Sequence, residues 1–362
     1  MKVARTRDGN LHYCHLETLL SKDQVYFCPT CQQEVFLRTR RDGRQYFVHS
    51  SKKQTEDKHQ GESHLHKEGK LALYKWFHSY FTNSQMEFYI KEEQQRPDIL
   101  VTVAQQMVAV EYQCSPISLE TMKKRNLGYE NTDTSVFWFF GPQYMQVDRL
   151  NEILEYNLLY VESLGNFLLF FNDEQIELRH HITIEEKSRK YSYQSLQVPL
   201  KTSSAKLLLE LLLKSKKLVY KELNQAETAN YWSQESMEQL RLSTQRENRV
   251  FLEQLYMSQV NLTDLPKDCW RLPKYSYALK TPAYIWRGLI YIRLLKVKKG
   301  KIISLAQAMR WIEKEIECGR LRKSAINQWE LTMEQELLEF FNHLVQETRF
   351  LRLISTNQWI RL

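Results

Sequence analysis

Three observations on this 362-residue chain predict an α/β (α+β) fold built in three parts. Apolar periodicity changes along the chain, from short alternating pieces, to an α-β-β-β-α-β order, to mostly helical spacing beyond about residue 190. A length of 362 residues exceeds what one hydrophobic core ordinarily serves. Apolar residues at 43% and charged residues at 26% lie near the globular average, which argues against a disordered or fibrous chain, and 10 Gly with 8 Pro leave little room for long linkers. The expected parts are a small β-rich Cys/His module over 1–55, an α/β core over 56–185 and a mostly α-helical domain over 186–362.

Each element follows from local pattern. The first part holds strand-like pieces around Cys28-Pro29-Thr30-Cys31, and a polar connector, Glu56-Asp57-Lys58-His59-Gln60-Gly61, ends it. Leu65, Ala72, Leu73, Trp76, Phe77 and Tyr80 then form one helical stripe. Runs at 86–91, 97–102 and 107–113 have strand character, 118–129 reads as a helix and 136–140 as a fourth strand. Residues 151–161 suit a helix, and 167–171 with 176–182 resemble a hairpin about Asn172-Asp173. Beyond lie a Leu-rich segment at 207–213, a polar helix at 233–259, an apolar helix at 283–295, further helices near 304–316 and 331–347, and a terminal hairpin about Ser355-Thr356-Asn357-Gln358.

With 51 Lys+Arg against 43 Asp+Glu, the net charge of +8 suits a phosphate-rich partner. The start, Met1-Lys2-Val3-Ala4-Arg5-Thr6-Arg7, lacks the apolar run of a secretory signal, and no stretch is long enough for a membrane span, so a cytoplasmic protein with no membrane partner is expected. Six Cys are too sparse for a disulfide scaffold; in a reducing compartment Cys28 and Cys31 read as a metal-binding pair.

The chemistry concentrates in the middle. Arg96-Pro97-Asp98 opens one strand and Glu111-Tyr112-Gln113 lies on the next, so the Asp98 and Glu111 carboxylates can meet at one sheet edge. Two carboxylates and a backbone carbonyl suit Mg²⁺ or Mn²⁺, and a polar Gln113 could hold the attacking water, which makes a phosphodiester hydrolysis site. A surface hairpin that merely carries acids is the plain alternative. Glu62, His66 and Lys70 recur every four residues on the preceding helix, with Glu62 and His66 at the head of its apolar stripe, so they should face the sheet. Arg125 and Tyr129 are four apart on the following helix and suit phosphate contacts, or a solvated basic face.

Taken together, Glu62-Ser63-x-x-His66-x-x-x-Lys70, Arg96-Pro97-Asp98-Ile99-Leu100, Val110-Glu111-Tyr112-Gln113-Cys114-Ser115-Pro116-Ile117-Ser118, Arg125-x-x-x-Tyr129 and Val136-Phe137-Trp138-Phe139-Phe140-Gly141 resemble the competence protein CoiA family over about residues 25–141. The resemblance implies a restriction-endonuclease-like PD-(D/E)xK core, linked to natural transformation. It implies Asp98 and Glu111 as metal carboxylates, Glu62 as a helix carboxylate near the metal, and His66, Lys70, Arg125 and Tyr129 as accessory site residues. Gln113 stands where the motif's lysine usually is, and Gln supplies no positive charge, so Lys70 or Arg125 would have to bring it.

Cys28 and Cys31, with His49 eighteen residues on, form a second constellation suited to structural Zn²⁺. The family's module resembles a zinc finger ending in His-x-x-His, whereas here Tyr46 holds the first of those positions. His12, Cys14, His15, His59 or His64 completes the ligand set, or the module has lost its metal and kept a packed core. Arg38, Arg40, Arg41 and Arg44 read either as a solvated face or, beside a nuclease-like core, as a phosphate-contacting patch. The resemblance implies metal-dependent cleavage of incoming, single-stranded DNA alongside recombination proteins; the alternative is a recombination mediator that grips DNA without cutting. Lys296, Lys298, Lys299 and Lys301 with Arg349, Arg352 and Arg361 suit a winged-helix-like DNA contact or ordinary solubilising charge.

Overall fold

A computed structural model of the chain describes residues 3–8, 11–14, 20, 21, 23–28, 33–40, 43, 45–49, 64–103, 105–185, 190–217, 231–272 and 277–362. Strands β1 (Val3–Arg5), β2 (Leu11–Tyr13), β3 (Tyr26–Phe27), β4 (Glu34–Thr39) and β5 (Gln45–His49) form a sheet of their own in the order β2-β1-β3-β4-β5. There follow α1 (His64–Tyr80), β6 (Gln85–Met86), β7 (Ile99–Val103), β8 (Gln106–Gln113), α2 (Leu119–Asn131), β9 (Thr134–Phe140) and α3 (Pro142–Met145). Next come α4 (Glu152–Tyr156), β10 (Leu159–Val161), β11 (Gly165–Asn172), β12 (Gln175–Ile184), β13 (Tyr191–Pro199) and α5 (Ala205–Lys214). The remainder holds β14 (Lys216–Lys217), α6 (Gln234–Arg241), α7 (Arg246–Met257), α8 (Ala283–Leu295), β15 (Ile302–Ser304), α9 (Leu305–Glu317), α10 (Trp329–Glu347), β16 (Leu351–Ser355) and β17 (Gln358–Arg361). The mixed α/β class, the β-rich start and the helical C-terminal region match the sequence expectation.

Two compact units emerge, one of 1–146, 169–178 and 196–214, the other of 147–168, 179–195 and 215–362. The large sheet has the order β13-β12-β11-β9-β8-β7-β6. In the first unit β8 is its buried centre, antiparallel to β7 and parallel to β9. Because both faces are covered, β8 reads as an apolar run, with Val108, Ala109, Val110 and Tyr112 buried. A parallel β8–β9 pair needs a crossover, and α2 supplies it, capped by the Ser118 hydroxyl accepting from the Thr121 N–H. Successive residues of β8 point to opposite faces, so the helices sort themselves: Tyr112 meets α1 at Gly69, while Glu111 meets Arg125 and Tyr129 of α2. Phe77 of α1 packs edge-on to Phe139, the β9 partner of Tyr112, at 6.4 Å, and Trp76 donates to the Ser203 carbonyl at 3.0 Å.

Several elements differ from the sequence expectation. The strand at 86–91 stops at Met86, because Glu87 takes a left-handed φ of 56° and leaves the ladder. Helix α4 is only one turn, followed by β10 where a helix to 161 was expected. The 172–175 turn has φ of 49° at Asp173 and 60° at Glu174, the paired positive values that match a two-residue hairpin to the strand twist. Strand β13 was not foreseen: most of it is exposed, so an edge strand of this kind carries no buried period-two pattern to read. The polar helix at 233–259 breaks into α6 and α7.

In the second unit α8 is apolar nearly all round and is buried on most positions, as a core helix should be. Trp286 packs on Phe340 at 5.5 Å, and Phe341 on Trp359 at 4.6 Å. The expected terminal hairpin forms as β16–β17, and β15 joins it in the order β15-β17-β16. Among the described residues no helix is long and apolar enough to cross a membrane.

Two outcomes follow. A Cβ on Gly69 would lie 2.2 Å from the Tyr112 ring, so Gly69→Ala should lower the urea midpoint, with a net loss of about 1–2 kcal/mol after the helix-propensity gain is offset; an unchanged or raised midpoint would show that the ring gives way. In the second unit, burial pushes Glu336 up to about 7, against the Ala278 and Tyr277 N–H groups it accepts from. A carboxyl whose folded value is raised costs stability as pH rises from its ordinary value towards about 7, so stability should fall over that window and Glu336→Gln should flatten the profile.

Candidate active site

The site begins where β7 and β8 end. The antiparallel register pairs Ile99 with Val110, and one step further sets Asp98 across from Glu111. Asp98 precedes the ladder, and its Oδ2 accepts the Tyr112 N–H at 2.9 Å, replacing the strand partner that the N–H lacks. Helix α1 brings two side chains to the same carboxylate: His66 Nε2 lies 3.1 Å from Oδ2 and Lys70 Nζ lies 3.4 Å from Oδ1. His66 also packs edge-on to the Tyr112 ring at 5.7 Å.

Lys70 is buried, and its strongest contact is Glu87 Oε1 at 2.6 Å. Glu87 is held by Arg96 as well, at 3.5 Å, and its N–H donates to the Asp98 carbonyl. Sequence reasoning missed Glu87, because its left-handed backbone is what turns it out of the ladder; an acid interrupting the apolar run Met86 to Ile90 was the available signal.

Glu111 is the most deeply buried acid here, 2% exposed. Its Oε1 accepts from Arg125 Nη2 and from the Tyr129 hydroxyl, both on α2. Arg125 also donates to the Arg96 carbonyl at 3.2 Å and lies over the Trp138 ring at 5.7 Å, while Trp138 donates to Asn126 at 2.9 Å. The paired i, i+4 side chains therefore face inward and grip one carboxylate.

Environment splits the two central acids. Burial would raise Asp98, but the Lys70 ammonium, then the His66 and Tyr112 hydrogen bonds, hold it well below the usual carboxylate range. For Glu111 burial wins over the Arg125 charge and, with the Asp98 charge added, pushes it above its ordinary value. Burial and the Glu111 charge raise the Tyr129 phenol, so it stays a donor. Glu87 is lowered, the burial cost being overcome by Lys70 and Arg96.

The remaining expected residues are placed as follows. Gln113 donates its amide to the Ser115 carbonyl at 2.6 Å, within the turn after β8. Glu62, Cys31, Arg41 and Arg44 lie outside the described residues, as does the side chain of His49 on β5. Cys28 is buried in the core of the small sheet with Ala4, Leu20, Tyr26, Val35 and Phe47, and Cys14 packs against that cluster. The Cys28 N–H donates to the Gln33 carbonyl at 2.8 Å. Arg38 and Arg40 are exposed, with Arg40 over the Tyr46 ring at 5.4 Å.

For a divalent cation, Asp98 and Glu111 fit in kind: two carboxylates from neighbouring strands, whose charges act on each other, are hard oxygen donors. In number they are two, and among the described residues no group of three His, Cys, Asp or Glu stands ready for a metal.

The Glu111 grip has a measurable consequence. Arg125→Met should destabilise the chain by about 2–3 kcal/mol at neutral pH, since it strands a buried carboxylate. Glu111 then rises further, and because an acid raised in the folded state costs stability only when ionised, the deficit should shrink as pH falls through its folded value. Denaturation of parent and variant between pH 8 and 5 reads this; a pH-independent deficit would assign the loss to packing.

Residues 62–212 match the family model for the nuclease-like domain of competence protein CoiA, and residues 233–362 match the one for its C-terminal domain. The chain is 24% identical to competence protein CoiA of Bacillus subtilis (strain 168) over 282 residues, 75% of this chain and 72% of that protein. No solved structure matches significantly. Two matched domains, in order, and a relative matched over 75% of the chain leave one conclusion: the chain belongs to the competence protein CoiA family.

Proposed function

We propose that this competence protein is a metal-dependent deoxyribonuclease that processes incoming DNA, single-stranded in that setting, alongside recombination proteins. The observation that carries the reading is Lys70: its ammonium, from helix α1, lies 3.4 Å from Asp98 and supplies at the sheet edge the charge that Gln113 lacks. A strand lysine and a helix lysine meet the same electrostatic need, since only the position of the charge matters to a phosphate at the edge.

The chain's own residues divide the work. Asp98 stays ionised, oriented by His66 and the Tyr112 N–H, and Glu111 is held by Arg125 and Tyr129, so the two acids are fixed before any ligand arrives. Mg²⁺ or Mn²⁺ held by Asp98 and Glu111 would supply Lewis-acid stabilisation of phosphate charge and an acidified water. Lys70 offsets negative charge beside a bound phosphate, and Glu87 and Arg96 position Lys70. Arg38 and Arg40 add a sequence-independent grip on the backbone. A structural Zn²⁺ on Cys28, Cys31 and His49 belongs to the same proposal, stiffening the small sheet beside these arginines.

One observation favours the second reading, a DNA-gripping mediator that does not cut. Gln113 is tied to Ser115 and Glu111 to Arg125 and Tyr129, so the site's polar groups are already paired within the protein.

Cleavage of labelled single- and double-stranded DNA with Mg²⁺ or Mn²⁺ decides between them. Parent cutting should vanish in Asp98→Ala and Glu111→Ala and fall about 10²–10³-fold in Lys70→Gln, while binding in EDTA persists in all. Salt-sensitive binding with no cutting under either metal would establish the mediator instead.

A further inference from the structure

In the second unit the run α8, β15, α9, α10, β16, β17, with its sheet order β15-β17-β16, has the helix and strand order of a winged helix. Charge is distributed over it unevenly. Helix α10, which precedes the hairpin, carries five glutamates and no Lys or Arg; Glu336 is spent inside, on the Tyr277 and Ala278 N–H groups. The stretches 296–304 and 348–362 contain no acid at all.

Those two stretches lie side by side. Ile302 on β15 pairs with Ile360 on β17, which pairs with Arg352 on β16. The alternate row, Ile303 and Trp359, is fully buried, so the Ile302–Ile360–Arg352 row faces away from the core. Gly300, at φ 78°, allows the turn before β15, and its N–H donates to the Arg361 carbonyl at 2.8 Å, tying that turn to the hairpin. Lys296, Lys298, Lys299, Lys301, Arg349 and Arg352 are all exposed. Among the described residues none of the six is in an ion pair, whereas Arg293 and Arg320 are taken by Glu315, Arg322 by Glu247 and Lys323 by Glu330. Arg361 is a different case: it donates to the Leu295 carbonyl at the end of α8 and stacks over Phe350, so it holds the hairpin in place.

We propose that the 296–301 turn and strand β16 form a second nucleic-acid contact, which binds the sugar–phosphate backbone without reading bases. Two strand spacings, about 10 Å, separate the outer strands, and three phosphates of one DNA strand rise over a similar length. Helix α10 has no Lys or Arg to offer a phosphate, so the contact rests on the turn and the strand. This contact lies in the second unit and does not depend on whether the first unit cuts DNA.

The test is binding of a labelled random-sequence duplex to the full chain in EDTA, across a salt series, for the parent and for Lys298→Ala/Lys299→Ala/Lys301→Ala, with Arg349→Ala/Arg352→Ala as a second variant. These side chains are exposed, so thermal unfolding should match the parent. The triple variant should lose about 2–3 from the slope of log affinity against log salt, and the double variant about 1–2. Unchanged slopes, or a parent that does not bind at low salt, overturn the proposal. Binding to phosphatidylserine vesicles is run beside it, because exposed Ile302, Leu353, Ile354 and Leu362 flank the same cations; loss of vesicle binding with DNA binding intact overturns it in favour of a lipid surface. Cleavage is read separately, so an inactive first unit leaves this outcome legible.

Discussion

Three carboxylates packed at one sheet edge set the terms for the first unit. Asp98, Glu87 and Glu111 have side chains only 3–13% exposed, where an ionised acid without a partner costs several kcal/mol. The fold meets that cost with Lys70, Arg96 and Arg125, and those cations come from α1, the approach to β7, and α2. Helix α1 must therefore lie against the Tyr112 face of β8 and α2 against the Glu111 face. Two glycines permit the approach: a side chain at Gly69 would strike the Tyr112 ring, and one at Gly128 would come within 2.8 Å of Gln95. Charge balance and close packing thus act together on α1, which reaches its acid where Gly69 leaves room for the Tyr112 ring.

The same balance bears on chemistry. Asp98 and Glu111 face each other across two strands, yet one is held ionised and the other is pushed towards its neutral form. Pairs of acids separated in this way by their surroundings are a familiar basis for a division of roles. Here the division comes from neighbours on opposite faces of the sheet: a lysine and a histidine on one side, an arginine and a tyrosine on the other. Lys70 on α1 sets a positive charge beside Asp98, and Gln113 serves the turn after β8.

In the second unit, charge is sorted by position. The buried acids Glu315 and Glu336 are taken up inside the unit, by Arg293 and Arg320 and by backbone N–H groups. The cations of the 296–301 turn and of β16 are left to solvent. That contrast separates side chains that hold the fold from those available to a partner.

What the amino-acid order determined by itself was period. The stripe of Leu73, Trp76 and Phe77 made α1 a helix and aimed His66 and Lys70 inward; strand spacing set Asp98 and Glu111 at one sheet edge; the terminal hairpin was marked by its polar turn. These are short-range consequences of 3.6- and 2-residue repeats. Only the tertiary structure decided the partners. Glu87 joins the site through a left-handed backbone that no side-chain period reports. Lys70 divides itself between two acids, 17 and 28 residues away in sequence, because desolvation leaves it no other place to put its charge. Strand β13, with most of its residues in water, left no apolar pattern to find. Sequence reveals which groups face the interior; which of them share a charge depends on burial, and burial belongs to the assembled unit.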